Sequence, residues 1–238
     1  LWHAGQTAAL PQFSPPQILA SDLSGLVLDL AHWGVTDPTA LAFLDAPPAA
    51  AFGEAKNLLP QLGALDAAGG LTPHGRLMRE MALPPRLAAM VLRANEEGSA
   101  QAASLLAVLL TEQGLGGNEV DLDERLRRFR ADRGERAQAS RRLAKRMIEA
   151  LPQAPQAEGA ITAGSLLLHA FPDRVALQRG GRGRFVMANG RGAELPEQER
   201  LASASMLVIA DLTGQAAKAR VLAAAEVTRA VIEAALPE

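Results

Sequence analysis

The chain has 238 residues, 48% of them hydrophobic and 3% aromatic, with a formal net charge of −2 and neither cysteine nor tyrosine. That length buries a core without covalent staples, and the missing cysteines exclude a disulfide framework or a thiolate site, as a reducing compartment would allow. The longest apolar run, residues 102–110, is broken by Ser104 and falls far short of the ~20 residues of a membrane span; no secretory signal opens the chain, so a cytoplasmic protein with no membrane partner is expected.

Residues 1–13 are too short and irregular to fold alone, which implies a piece cut from a longer protein. Ile18, Leu19, Leu23, Leu26, Leu30 and Trp33 then keep the spacing of one helical face, ended by Gly34. Thr36 or Asp37 caps a short helix opened by Pro38, with Leu41 and Leu44 expected inside. Ala46-Pro47-Pro48 sets the entry to a helix through Phe52, Ala55, Leu58, Leu59 and Leu62. Trp33 and Phe52 sit on the apolar faces of their helices and read as core.

Residues 63–72, GALDAAGGLT, read as a tight two-strand hairpin, because Leu65 and Leu71 flank a turn whose glycines supply positive φ. Thr72 offers an N-cap and Pro73 the first helical position. Turn, helix, hairpin and capped helix together are the grammar of a winged helix over residues 14–82. Pro84-Pro85 then opens a helix that buries Leu87, Met90, Val91 and Ala94 and stops at Gly98.

Residues 99–113 are apolar on more than one face, and residues 114–120 read as a flexible loop. Asp121 or Asp123 caps a helix with Leu122, Leu126 and Phe129 in register, and a helix using Leu143, Met147, Ile148 and Leu151 follows. A last helix over residues 162–171 completes a bundle over residues 83–171. The period then changes from 3.6 to 2: Val175 and Leu177, Phe185 and Met187, Leu207 and Ile209, then Ala219, Val221 and Ala223 alternate between glycine turns. Five short strands and a closing helix over residues 226–236 predict a small OB-like barrel, residues 172–238. The fold class is mainly α with a smaller β part.

Three stretches carry a family resemblance: FLDAPP (43–48), LGALDAAGGLTPHGRLM (62–78) and LPPRLAAMVL (83–92). In this order and spacing they resemble the helicase-associated region of DEAH-box RNA helicases, most closely the bacterial HrpB-type group, over nearly the whole chain and more weakly after Gly114. The resemblance implies an accessory half of an ATP-dependent helicase: winged helix, ratchet-like bundle and OB-like barrel. It implies residues 1–13 as a remnant of a RecA-like motor domain. Single-stranded RNA and the motor domains of the same polypeptide are the implied partners, with ATP and Mg held by those motor domains. Leu83-Pro84-Pro85-Arg86 is read as a docking stretch for them.

The chain carries no engine of its own by motif. None of its three lysines, Lys56, Lys145 and Lys218, follows a glycine, so no phosphate loop ends in Gly-Lys-Ser/Thr, and the chain alone is not expected to hydrolyse ATP. His3, His32, His74 and His169 lie too far apart for metal-ligand spacing. No serine sits in a nucleophile elbow, and Gly181-Arg182-Gly183 falls between strands rather than opening a helix.

Binding is what remains. Residues 125–146 hold ten arginines and lysines against Asp132 and Glu135, and residues 174–192 hold five arginines and no acid. Charge polarised in this way suits a phosphate-tracking surface, because attraction acts over about a Debye length, ~8–10 Å. Arginine outnumbers lysine 21 to 3, which coding bias in an alanine-rich chain also produces, so a merely solvated helix face stands as the other reading. The candidate phosphate contacts are Arg125, Arg128, Arg133, Arg141, Arg142 and Lys145 in the bundle and Arg179, Arg182 and Arg184 at the barrel. With so few aromatics, recognition is expected to be blind to sequence and salt-dependent.

Two other functions compete with this one. A winged-helix DNA-binding regulator is disfavoured by the acidic or neutral turn at residues 66–69 and by a lone cation, Lys56, across residues 49–62. A non-catalytic scaffold would present the same basic face to an acidic protein.

Overall fold

A computed structural model describes residues 16–19, 21–152, 154, 161–214 and 219–235. The expected remnant at residues 1–13, His3 and the turn containing Lys218 lie outside the described residues.

The chain opens with a 3-10 turn, Gln17–Leu19, and helix α1, Ser24–His32. α1 buries Ser24, Val27, Leu28 and Leu30. Trp33 is 63% exposed, contrary to expectation, because it lies nine residues beyond Ser24. At ~100° per residue that is the opposite face. Asp37 caps the short turn Pro38–Ala40, its Oδ1 accepting from Thr39 N at 2.9 Å. Leu41 and Leu44 both turn outward, Leu44 completely; a single 3-10 turn offers no apolar stripe to bury them.

Helix α2, Ala49–Gln61, buries Phe52, Ala55, Leu58 and Leu59. The expected hairpin shrinks to one bridge, Leu65 to Leu71. The Asp66 carboxylate organises the turn instead of a ladder, accepting from Ala68 N at 2.9 Å and Gly70 N at 2.7 Å. Thr72 then ends it at once: its Oγ1 accepts from Gly75 N at 2.9 Å and donates to the Gly63 carbonyl at 2.7 Å, starting α3, Pro73–Glu80. A Cβ on Gly75 would stand 2.2 Å from the Ala64 carbonyl oxygen, so only glycine lets α3 lie this close to the turn.

Helix α4, Pro85–Glu96, has seven buried residues and no wet stripe. Ala88, Ala89 and Leu92 join the first core, with α1 to α3. Leu87, Met90, Val91 and Ala94 join a second core formed with α5, Ala100–Thr111, α6, Leu122–Ala131, α7, Glu135–Glu149, and α8, Ala163–Leu168. Each leucine or methionine buried in this way stabilises the fold by about 1.5–3 kcal/mol, so α4 ties the two cores together. α7 buries small side chains, Ala137, Ser140 and Ala144, and leaves Leu143 40% exposed, not inside as its spacing suggested. Nor is the α5–α6 loop loose: Leu115 is buried and Gly116 rests against the Arg125 backbone.

Five strands close a barrel in the order β1-β2-β3-β5-β4. They are β1, Val175–Gln178, β2, Arg184–Met187, β3, Gly192–Glu194, β4, Met206–Thr213, and β5, Ala219–Glu226. All neighbours are antiparallel except β3 with β5. In β1 it is Ala176 that faces in, while Leu177 is 52% exposed, the reverse of the predicted phase.

β4 and β5 do not alternate cleanly because both of their faces are covered. Leu207, Ile209, Val221 and Ala224 fill the barrel, whereas Val208, Ala210, Ala223 and Ala225 join the helical core outside. A Cβ on Gly164 of α8 would meet the Glu226 carbonyl at 2.1 Å, which is how closely that helix seats on the barrel. Helix α9, Arg229–Ala235, closes the described chain.

Candidate nucleic-acid interface

The basic run divides into two kinds of cation. Arg125 is half-buried and gives its guanidinium to the Leu109 and Leu115 carbonyls at 3.5 Å each, tying the α5–α6 loop to α5. Burial holds its pKa below the usual arginine value, against the pull of Glu119 and Asp211. Its guanidinium is thus partly committed to the loop carbonyls, which sets it apart from the other candidate phosphate contacts. Arg128 donates Nε to Glu124 at 2.7 Å and also pairs with Glu119, and hydrogen bonding to these carboxylates raises its pKa. Arg127 pairs with Glu124, and Arg136 reaches the Gln113 carbonyl at 2.5 Å. Acids lying just ahead of the run in sequence or on its first turn thus consume much of its positive charge.

α7 differs. Gln138, Arg141, Lys145 and Ile148 recur at helical spacing along one edge of a groove of about 660 Å³ between α7, α5 and the end of α4. Arg141 lies over the Phe129 ring, 5.8 Å from its centroid, and donates one N–H to the Phe129 carbonyl at 2.6 Å. Arg142 and Lys145 are exposed and, among the described residues, have no carboxylate partner within ion-pair distance. Among the described residues no acid lines the groove.

The opposite edge is the start of α5. Ser99 spends its hydroxyl on the Ala94 carbonyl, at 3.2 Å, and makes no side-chain cap at the start of α5, whose Ala100 and Gln101 line the groove. Asn95, Gln101 and Ser104 complete the polar lining. Sequence reasoning missed these neutral residues, although their spacing on α5 and the stripe on α7 were available to it.

The remaining candidates sit apart from this groove. Arg133 is exposed in the α6–α7 turn, where Asp132 Oδ1 accepts from Gly134 N at 2.8 Å. Arg179, Arg182 and Arg184 are exposed around the β1–β2 loop. Arg182 is held by the Glu197 carbonyl at 2.7 Å, and Arg184 stands across from Glu194 of β3.

Arg86, read from sequence as part of a docking stretch, is used internally. It forms a bidentate pair with Asp173, at 2.6 and 3.1 Å, donates to the Ala170 carbonyl at 3.0 Å and lies 5.2 Å from the Phe171 centroid. Arg174 lies 5.1 Å from the same ring. The cavity beside this junction, about 870 Å³, also carries Asp22, Glu112 and Asp211, so its arginines face comparable negative charge.

His74 is half-buried, and desolvation holds its pKa below the ordinary value against the pull of Glu96. Among the described residues no three His, Cys, Asp or Glu side chains group to hold a metal ion, and no helix is long and apolar enough to cross a membrane.

The ATP-dependent RNA helicase HrpB of Escherichia coli K12 is 37% identical to this chain over 195 residues, and the crystal structure of the E. coli DExH-box NTPase HrpB superposes on 99% of it with a TM-score of 0.79 at 32% identity. The chain matches the C-terminal region of HrpB-type DEAH-box helicases. The sequence match takes in 82% of this chain and 23% of that relative, and the structural match takes in 28% of the solved chain, so this HrpB-type region spans about a quarter of the proteins it resembles. A second crystal structure, of the E. coli DEAH/RHA helicase HrpB, gives a TM-score of 0.74 at 31% identity over 95% of this chain and 28% of that one. The E. coli K12 ATP-dependent RNA helicase HrpA is 33% identical over 128 residues, 50% of this chain and 10% of that protein. No protein-family model matches the chain.

Proposed function

We propose that this chain is the accessory nucleic-acid-binding region of an ATP-dependent RNA helicase, with a winged helix at residues 14–82, a ratchet-like bundle at 83–171 and an OB-like barrel at 172–238. Motor domains of the same polypeptide hold ATP and Mg and step along the strand; this region keeps the strand in their channel. Similarity to HrpB supports the helicase assignment, and the β1-β2-β3-β5-β4 closure is compatible with an OB-type barrel.

The observation that carries the single-strand role is the α5–α7 groove: Arg141, Arg142 and Lys145 on one edge, the start of α5 without a side-chain cap on the other, and no acid between them among the described residues. Cations without a carboxylate partner gain from meeting phosphate, because they release counterions from the strand without first breaking a protein ion pair. Arg133, Arg179 and Arg184 extend the grip at outlying points, and Arg182 does so through the donors that Glu197 leaves free.

Reversing charge in Arg142→Glu with Lys145→Glu is expected to weaken binding of a single-stranded RNA 12-mer by about 10- to 100-fold, with unfolding temperature unchanged, as read by fluorescence anisotropy and thermal melting. Unchanged affinity would contradict the role given to the groove.

A further inference from the structure

The cavity of about 870 Å³ beside the Arg86–Asp173 pair lies where all three parts of the fold meet. α1 lines it with Ser24 and Gly25, the bundle with α4, α5 and Arg125, and the barrel with Ala210 and Ala223. Pockets of ~300–1,000 Å³ enclose small organic ligands and favour such junctions.

Its balanced charges are sorted by exposure. Asp22, Glu112 and Asp211 are exposed. The Arg86 side chain, by contrast, is 11% exposed against 52% for Asp22, and Arg125 and Arg174 are partly covered. Water and salt screen the acids within a Debye length of ~8–10 Å, whereas the covered guanidiniums act through a lower dielectric. An anion seated among the arginines therefore gains more from them than it loses to the acids.

The arginines also keep unused donors. Of the four buried side-chain polar atoms that lack a hydrogen-bond partner among the described residues, two are Arg86 Nε and Arg125 Nε. Arg86 spends its terminal nitrogens on Asp173 and the Ala170 carbonyl, and the Asp22 carboxylate, 3.8 Å from Nε, is too far to accept. Arg125 holds its two carbonyls only at 3.5 Å, and Arg174 gives one N–H to the Ala210 carbonyl at 3.0 Å. The Phe171 ring lies 5.2 Å from Arg86 and 5.1 Å from Arg174, so both guanidiniums rest against one rigid plane. Desolvation lowers the pKa of Arg125 and of Arg174, as expected of positive charge that has lost water without gaining a full carboxylate partner. A buried N–H with no acceptor is costly, and two on residues lining one cavity point to an acceptor supplied by a ligand.

We propose that this cavity is an oxyanion site for a small phosphorylated or carboxylated molecule, held by Arg86, Arg125 and Arg174. Bound there, the ligand touches α1, the bundle and the barrel together and stabilises their mutual arrangement by mass action. The site is separate from the α5–α7 groove and does not depend on the single-strand reading.

The test titrates the chain with pyrophosphate and, separately, with citrate at constant ionic strength, by calorimetry and thermal melting, and follows arginine Nε–H signals by NMR. At least one anion is expected to bind one-to-one, raise the unfolding temperature and shift the Arg86 and Arg125 Nε–H signals. Pyrophosphate alone would mark a phosphorylated ligand, citrate alone a carboxylated one, and both the oxyanion chemistry they share. Arg174→Gln is expected to weaken that binding about tenfold or more, measured on protein whose melting shows it folded; the NMR shifts need no substitution. Binding of neither anion would overturn the site. So would binding that leaves both Nε–H signals unmoved, or that Arg142→Gln with Lys145→Gln removes while Arg174→Gln does not.

Discussion

α6 and α7 are neighbouring, arginine-rich and equally amphipathic to the eye, yet, the exposed Arg130 of α6 and the Glu112-paired Arg136 of α7 apart, the structure uses their cations differently. On α6, Arg127 and Arg128 are matched by Glu124 and Glu119, and Arg125 is turned inward onto backbone carbonyls. On α7, Arg142 and Lys145 line a groove in which, among the described residues, they meet no carboxylate. Local net charge along a sequence is therefore a poor guide to local potential, because exposed pairs cancel the field while contributing little stability, ~0–1 kcal/mol. A cation advertises a binding surface only when the fold leaves it unpartnered.

The contrast between the two helices is broken most severely at Arg125. Arg125→Ala removes a half-buried guanidinium and strands the Leu109 and Leu115 carbonyls, so a loss of about 2 kcal/mol in unfolding free energy is expected by urea denaturation. Affinity for a single strand, measured on folded protein, should stay at the parent level. A variant that is stable yet binds RNA poorly would return Arg125 to the binding set.

A smaller effect sharpens the structural reading of α6. Asp123 is partly buried, and its Oδ1 accepts the Ala163 N–H at 2.7 Å, joining α6 to the start of α8. Burial raises its pKa above the ordinary 3.8, ahead of the lowering effect of that hydrogen bond. The folded protein therefore holds the proton more firmly than the unfolded chain, and stability falls as pH rises from 3.8 through the raised value. Asp123→Asn keeps the acceptor and removes the titration, so its stability relative to the parent should improve across that window and level off above it. Parallel stability profiles for the two proteins between about pH 3.5 and 7 would show that Asp123 does not titrate in this way.

Much of the fold was legible because local signals agreed. Thr72, with Pro73 behind it, caps α3 where its side chain said it would, and of the two candidates ahead of α6 it is Asp121 that caps. The failures have physical causes. Trp33 was assigned by extending a periodicity past the end of α1, whereas Leu177 was assigned by taking the larger side chains of β1 as its inner phase. β3, three residues with a single buried alanine, has no pattern to detect. β4 and β5 were legible by alternation, with Leu207, Ile209 and Val221 inside the barrel, but Ala223 turns to the bundle side next to a register shift in the β4–β5 pairing. At the interface, Arg141, Arg142 and Lys145 were readable as charge, but their difference from Arg125 and Arg128 depends on Glu119, Glu124 and the Leu109 and Leu115 carbonyls. Glu124 stands at i,i+3 and i,i+4 to Arg127 and Arg128 and was readable from spacing, whereas Glu119 and the two carbonyls meet their arginines only in the fold.

The most direct test of this account is the salt dependence of single-strand affinity for two neutralised pairs, Arg142→Gln with Lys145→Gln and Arg127→Gln with Arg128→Gln. Neutralising the α7 pair should flatten the slope of log affinity against log salt by about 1.4, ~0.7 for each phosphate no longer neutralised, and neutralising the α6 pair should leave it at the parent value. Equal flattening by both pairs, or flattening by the α6 pair alone, would contradict it.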